Sequence, residues 1–271
     1  VSVPDVLARI VAARRERYGV PALAALAAPA AGGSPAAGPG ESPFLAALAT
    51  RARRGERSAI AEVKMGSPRL GSLAGRFEPG RRAAAYQAAG AAALSVVVEP
   101  DFFFGSYQLL AHCRAASGLP ALAKDFVVSV RQLDEAAAAG ASAILLVAAL
   151  YAGDELAGWA AAARARGLVP LVETHDETDL ERLAGAGASG TAAWELVGVN
   201  SRDLRTFEVD LERAARLAPR LPAGALKVAE SGIRHRADVD RLAVAGFEAF
   251  LVGESLLLAD DPGAKLGELF G

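Results

Sequence analysis

Ser58 to Pro68 reads SAIAEVKMGSP. Its first half is small and apolar, as a buried strand is, until two opposite charges interrupt it. Glu62 and Lys64 stand two residues apart, so on a strand both side chains leave from one face. Gly66, Ser67 and Pro68 follow at once and mark the strand's end. A carboxylate and an ammonium at the end of an oily strand are costly to desolvate unless they are paired or put to use. One reading is an ion pair that only sets register. The other is a working pair at the mouth of a pocket, and the rest of the chain separates the two.

Outward from this stretch the same unit recurs. Apolar runs of strand length stand at about 93–99, 120–126, 143–149, 169–175, 195–200, 226–231 and 249–254. Between them lie Ala-rich amphipathic segments such as RRAAAYQAAG, RQLDEAAAAG and RADVDRLAVAG, several closing on Gly, a common helix stop. With 58–64 this makes eight strands alternating with helices. Parallel βα units of that number close into a (β/α)8 TIM barrel. An open doubly wound sheet also accommodates eight strands, but no G-x-G-x-x-G follows the first of them. Ahead of the barrel, residues 3–18 read as a helix, with Val3, Val6, Leu7, Ile10 and Val11 at helical spacing and the arginines between them. A second short helix is predicted over 43–54. Residues 28–43, APAAGGSPAAGPGESP, have the composition of a mobile linker. The chain thus divides into a helical N-terminal extension, 1–57, and a barrel domain, 58–271.

Composition narrows the class. The 271 residues are 52% hydrophobic, enough for one large core. No uninterrupted apolar run approaches the roughly 20 residues of a spanning helix, so no membrane partner is expected. The first residues carry charges throughout, unlike a secretory signal. A single cysteine, Cys113, leaves no disulfide within the chain and fits a reducing, cytoplasmic setting. The formal charge of −2 argues against a nucleic-acid surface, and Arg51, Arg53, Arg54 and Arg57 read as a solvated helix end. His112, His175 and His235 lack metal-ligand spacing, so no metal is expected; His175 reads as a hydrogen-bonded structural histidine.

The polar residues fall where a barrel would use them. Active sites of such barrels lie at the C-terminal ends of the strands. Those ends carry Glu62 and Lys64, Glu99, Lys124 and Asp125, Glu173 and His175, Asn200 with nearby Arg202, and Glu230 with Ser231. The fourth strand ends without charge, its Leu145 and Leu146 left to line pocket or core. Lysines and carboxylates converging on one mouth point to acid–base chemistry on an anionic substrate. AESG (229–232) and VGES (252–255) close the last two strands, the place where these barrels commonly hold a phosphate.

Taken in order, IAEVK…SP (60–68), LSVVVEPDFFFGS (94–106), KDF (124–126), AILLV (143–147), PLVETHDETDL (170–180), GVNSRDL (198–204), VAESGI (228–233) and FLVGESL (250–256) resemble indole-3-glycerol phosphate synthase. The resemblance spans about 58 to 258 and also accounts for the helices ahead of the first strand. It implies closure of 1-(2-carboxyphenylamino)-1-deoxyribulose 5-phosphate to an indole with loss of CO2 and water, without metal or organic cofactor. By similarity Lys124 is the acid for ring closure, and Lys64 a second acid or a clamp on anionic groups. Glu173 and Glu62 handle protons during dehydration, and Asn200, Arg202 and Glu230 position the substrate. Phe103 and Leu145 wall the aromatic ring. Ser67, Ser231, Gly232, Gly253, Glu254 and Ser255 match the phosphate side, Glu254 through its backbone because its charge would repel a phosphate.

Three departures from the family's pattern stand out. The first two, in the loop after the first strand, bear on substrate grip and turnover; the third is expected to have little functional effect. Met65 and Gly66 follow Lys64 where the family usually has a basic residue. The loop then reads SPRLGSL, where a second Ser and a Lys or Gly are common. ASGTAAWE (188–195) adds residues before the sixth strand, on the side away from the chemistry. The rivals are another phosphate-binding barrel, of sugar-phosphate isomerase type, and a degenerate barrel that only binds a phosphorylated ligand. A primary role in tryptophan biosynthesis and a duplicate enzyme serving another pathway both fit. A monomer or weak homodimer is expected.

Overall fold

The computed structural model describes residues 6–19, 42–152, 155–188, 194–203 and 208–271. Eight parallel strands form the barrel: β1 (Ser58–Val63), β2 (Ala93–Val97), β3 (Ala121–Lys124), β4 (Ala143–Val147), β5 (Val169–Thr174), β6 (Leu196–Asn200), β7 (Leu226–Glu230) and β8 (Ala249–Val252). Each pairs with the next, and β8 pairs with β1 to close the ring. All eight expected strands are present, each trimmed by a residue or more at its C-terminal end except β6, where the chain turns toward the mouth.

Alternation along the strands sorts the side chains into two cores. Ile60, Leu122, Ala143, Leu145, Val169, Leu171, Leu196, Val228 and Leu251 pack together inside the barrel. Their sequence neighbours, among them Ala61, Val96, Ala123, Ile144, Leu146, Val197 and Phe250, pack outward against the helices. Leu146 therefore belongs to the outer core and Leu145 to the inside. The inward series continues by steps of two into Glu62, Lys124, Glu173, Asn200 and Glu230, the topmost layer of the barrel interior.

Two helices precede the barrel, as the periodicity predicts. α1 is Val6–Tyr18 and α2 is Pro43–Arg53. The side chains of Phe44 and Leu48 on α2 are fully buried and join the inner core, closing the N-terminal end of the barrel. Ser42 Oγ donates to the Ser142 carbonyl at 2.7 Å and anchors the start of this helix. Most of the expected linker, 28–41, lies outside the described residues; its last two residues open α2 instead. The added residues before β6 also lie mostly outside them, while Trp194 is buried with Nε1 donating to Leu183 O.

α1 corrects one expectation. Arg14 does not lie with the solvated arginines between apolar positions; it is 1% exposed and pairs with Asp125, just beyond β3. It sits four residues after Ile10 and three after Val11, on the same buried face. Arg17 pairs with Asp101, and Tyr18 OH donates to Glu135 at 2.6 Å. α1 is thereby tied to the C-terminal side of β2 and β3. In the basic cluster at the end of α2, Arg53 and Arg54 are exposed, as expected, while half-buried Arg51 donates to the Gly90 carbonyl and half-buried Arg57 pairs with Asp240.

Candidate active site

One pocket opens at the C-terminal face, and the expected residues meet there. Its lining includes Glu62, Lys64, Ser67, Phe103, Lys124, Leu145, Glu173, Asn200, Arg202, Ser231, Gly232, Gly253, Glu254 and Ser255. Glu230 is the exception: it is fully buried and lies beneath the floor, reaching the pocket through Lys124. Glu99, counted at the mouth by position, is not part of the lining either. Its carboxylate accepts from the backbone N–H groups of Asp101, Phe102 and Phe103, and so caps the short helix that presents Phe103.

At the floor, one ammonium faces three carboxylates. Lys124 Nζ is 3.1 Å from Glu230 Oε2, 3.8 Å from Glu62 Oε2 and 3.9 Å from Glu173 Oε2. Lys64 Nζ takes the other oxygen of Glu62 at 2.9 Å, so the two lysines share one carboxylate. Behind Glu173 stands His175, Nε2 at 3.2 Å from Glu173 Oε1 and Nδ1 at 3.4 Å from Asp179 Oδ2. His175 is buried and held by Asp179, and as a cation it supports a floor carboxylate.

Two glycines make room for this cluster. A Cβ on Gly198 would stand 2.1 Å from Glu230 Oε1, and one on Gly253 would stand 2.3 Å from Glu62 Oε1. Gly198 thus serves the floor from an inward position of β6, and Gly253 lets Glu62 lie flat against the end of β8.

Burial and neighbours pull these groups in opposite directions. Burial works against the charge of Glu62, yet Lys64 and Lys124 hold it below the usual carboxylate range. Burial likewise opposes charge on Glu173, but His175 and Lys124 bring it down to about 2. Burial pushes Glu230 up to about 8 against the pull of Lys124, and the neighbouring charge of Glu173 adds to the rise. Burial would lower Lys124, but Glu230, Glu62 and Glu173 raise it above the ordinary lysine value. His175, disfavoured as a cation by burial, is raised to about 10 by Asp179 and Glu173. At neutral pH the floor therefore holds a charged lysine, two ionised carboxylates and one carboxyl that retains its proton.

The pocket has two unlike ends. Val97, Phe103, Phe126, Leu145 and Val147, on the side of β2 to β4, form an apolar wall in which Phe103 and Phe126 lie 6.2 Å apart between ring centroids. Lys64, Arg69, Arg202 and Arg234 gather on the opposite side with Ser231, Gly232 and the residues after β8. Ser231 and Gly232 have successive positive φ angles, 67° and 81°. Such strain at a non-glycine residue is characteristic of ligand clamps. Ser255 spends its hydroxyl proton on the Ile233 carbonyl at 2.9 Å, stitching the two loops together. Asn200 Oδ1 accepts from the Arg202 N–H, which orients its side-chain amide.

Glu254 is not left to repel an anion. Its Oε1 is 2.8 Å from Arg69 and its Oε2 is 2.9 Å from Arg202. Against the cost of burial, these arginines hold it below the usual carboxylate range. Arg69, Arg234 and Phe126 were not among the residues expected from sequence. Phe126 had a visible signal, following Lys124 in the KDF run. The arginines had none, because each lies in a connection where a basic residue is ordinarily solvated.

The family whose model matches this chain is described as indole-3-glycerol phosphate synthase, and the match covers residues 8–269. Among solved structures, the chain is similar to tryptophan synthase subunit alpha from Legionella pneumophila str. Paris, with a TM-score of 0.60. Identity is 12%, over 85% of this chain and 97% of that one, a likeness of fold alone.

Proposed function

Because the chain belongs to the indole-3-glycerol phosphate synthase family, carboxy-lyases of tryptophan biosynthesis, we propose that Lys124 is the general acid of ring closure and that the floor carboxylates manage the later protons. The carrying observation is the Lys124 ammonium within 4 Å of Glu62, Glu173 and Glu230. The substrate, 1-(2-carboxyphenylamino)-1-deoxyribulose 5-phosphate, has an aromatic ring at one end and a phosphate at the other. The apolar wall and the cationic side of the pocket suit those ends in that order, and in this reading the ketone lies between them, over the floor.

Ring closure forms a bond between the carboxylated aromatic carbon and the ketone carbon, and the ketone oxygen takes a proton. Lys124 supplies it: ionised Glu62 and Glu173, with Glu230 Oε2 accepting its hydrogen bond, keep this lysine charged until the oxygen gains negative charge. The carbon–carboxylate bond then breaks, releasing CO2 and restoring the aromatic ring. Dehydration removes the new hydroxyl as water, which needs a proton at that oxygen and a base at the adjacent C–H. Glu173 and Glu62, ionised at neutral pH, serve as bases. Glu230, which holds its proton, returns one to Lys124 through their 3.1 Å contact. Lys64 clamps the substrate's anionic groups. The phosphate end falls to Ser231, Gly232 and Gly253–Ser255, whose two loops Ser255 joins.

Two lysines among three carboxylates exceed the one acid and one base of a sugar-phosphate isomerase. Their preserved geometry also speaks against a barrel that only binds its ligand. Incubation with the carboxyphenylamino substrate, followed by indole fluorescence, tests the activity. Rising emission is expected, and a flat trace with substrate bound would leave the degenerate barrel as the better account. A sulfate or phosphate introduced into crystals is expected between Ser231–Gly232 and Gly253–Ser255; occupancy of the Arg51–Arg57 cluster instead would count against that site.

A further inference from the structure

The connection after β1 is folded into a small hairpin. Gly66 and Ser67 pair antiparallel with Ser72 and Gly71, and the Leu70 N–H is shared by the Ser67 carbonyl and hydroxyl at 3.2 and 3.1 Å. Ser67, expected at the phosphate, thus spends an oxygen on shaping this turn. Gly66 lies flat against Phe104, whose ring would stand 2.4 Å from a Cβ at that position. The Leu73 N–H closes the base of the hairpin on the Met65 carbonyl at 2.8 Å.

At the tip is Arg69. Its side chain lines the same pocket as Ser231, Gly232 and Ser255, and it reaches across to Glu254. Each Glu254 oxygen meets a different arginine, so the carboxylate bridges the hairpin to the connection after β6. The Arg69 side chain is 58% exposed, and exposed arginine–carboxylate pairs are weak. A phosphate monoester carries about −1.5 to −2 charges at neutral pH and three acceptor oxygens. It therefore competes well against a single carboxylate for a planar guanidinium.

We propose that Arg69 is a phosphate-binding residue, delivered over the pocket by the 66–72 hairpin and parked on Glu254 until a phosphorylated ligand takes its place. The proposal rests on the phosphorylated substrate of the family reading.

The test is calorimetric titration of inorganic phosphate into the whole protein and its variants, alongside steady-state kinetics with the carboxyphenylamino substrate. Arg69→Met is expected to weaken phosphate binding and raise KM by about ten- to a hundredfold, the range of hydrogen bonds to charged groups. Arg69→Lys should recover part of that loss. Glu254→Gln frees the arginine and should tighten phosphate binding, with a smaller gain in the Arg69→Met background. Unchanged phosphate affinity and KM in Arg69→Met would overturn the proposal. So would weaker phosphate binding in Glu254→Gln, which would make the Glu254 bridge part of the site itself. If phosphate titrations depend on Arg69 while the parent fails to turn over the substrate, the phosphate role stands and the activity reading falls.

Discussion

Lys124 and Asp125 are neighbours in the chain but belong to charged clusters built on opposite plans. Asp125 is saturated: Arg14, Gln132 Nε2 at 2.9 Å, Tyr107 OH at 3.1 Å and the Phe126 N–H at 2.8 Å all donate to it. On the other side, Lys124 divides one ammonium among three carboxylates. Glu173 Oε2 and Glu230 Oε1 are buried and, apart from the proton that Glu173 and Glu230 share between them, meet no donor among the described residues. A charge with every acceptor filled has nothing left to exchange and holds shape. A cluster left short of donors can accept a proton or a substrate atom, and its native arrangement costs stability that the saturated one does not.

Replacing Lys124 should open the widest gap between the two clusters. Lys124→Met keeps length and removes the proton, and general acid catalysis is typically worth about 10² to 10⁴ in rate, or roughly 3 to 5 kcal/mol. The loss should fall on kcat with KM nearly unchanged, since the acid acts as the ketone oxygen gains charge. Turnover within a fewfold of the parent would make Lys124 structural and pass its role to Lys64.

Arg14→Met tests the saturated cluster. Breaking a buried ion pair from one side typically costs about 3 to 5 kcal/mol of stability. Urea unfolding should show that loss, while kcat of the folded fraction falls far less than in Lys124→Met. An equal fall in kcat would merge the two clusters into one functional unit.

Gly198→Ala asks whether the room beneath the floor matters. Its methyl would collide with Glu230, an overpacking that usually costs about 1 to 3 kcal/mol. A melting curve and a pH–rate profile should both shift, because Glu230 must move from beneath Lys124. A variant matching the parent in both would show that Glu230 has slack.

The mildest test is a slope. The folded protein holds the Glu230 proton up to about pH 8, whereas an ordinary glutamate releases it near 4.5. Between those values the folded state binds more protons than the unfolded one, so raising pH favours unfolding. Stability of the parent, measured against Glu230→Gln by urea unfolding, should decline across that window by up to ~1.4 kcal/mol per pH unit. A flat difference would place the retained proton elsewhere.

The barrel was legible because strand alternation and helix stops repeat eight times, and repetition averages out local ambiguity. The floor was legible for a related reason: Glu62, Lys124, Glu173, Asn200 and Glu230 continue an inward series whose earlier members are apolar. What stayed hidden depends on partners distant in sequence. Arg14 looked solvated because Asp125 lies 111 residues away. Glu230 looked like a pocket residue because its depth depends on Gly198, one strand over. Arg69 looked like a turn residue until the hairpin set it opposite Glu254. Periodicity reports which face a side chain takes, and says nothing of what waits on that face.

Phe44 and Leu48 extend the packed interior of the barrel to its far end, so the C-terminal mouth serves both arrivals and departures. Substrate enters by the C-terminal mouth, and CO2, water and the indole product leave by the same doorway. On the proposed phosphate site, the phosphorylated product must first be let go by the groups that held its precursor. Where one mouth serves both directions, a tighter hold on the phosphate favours arrival and opposes departure alike.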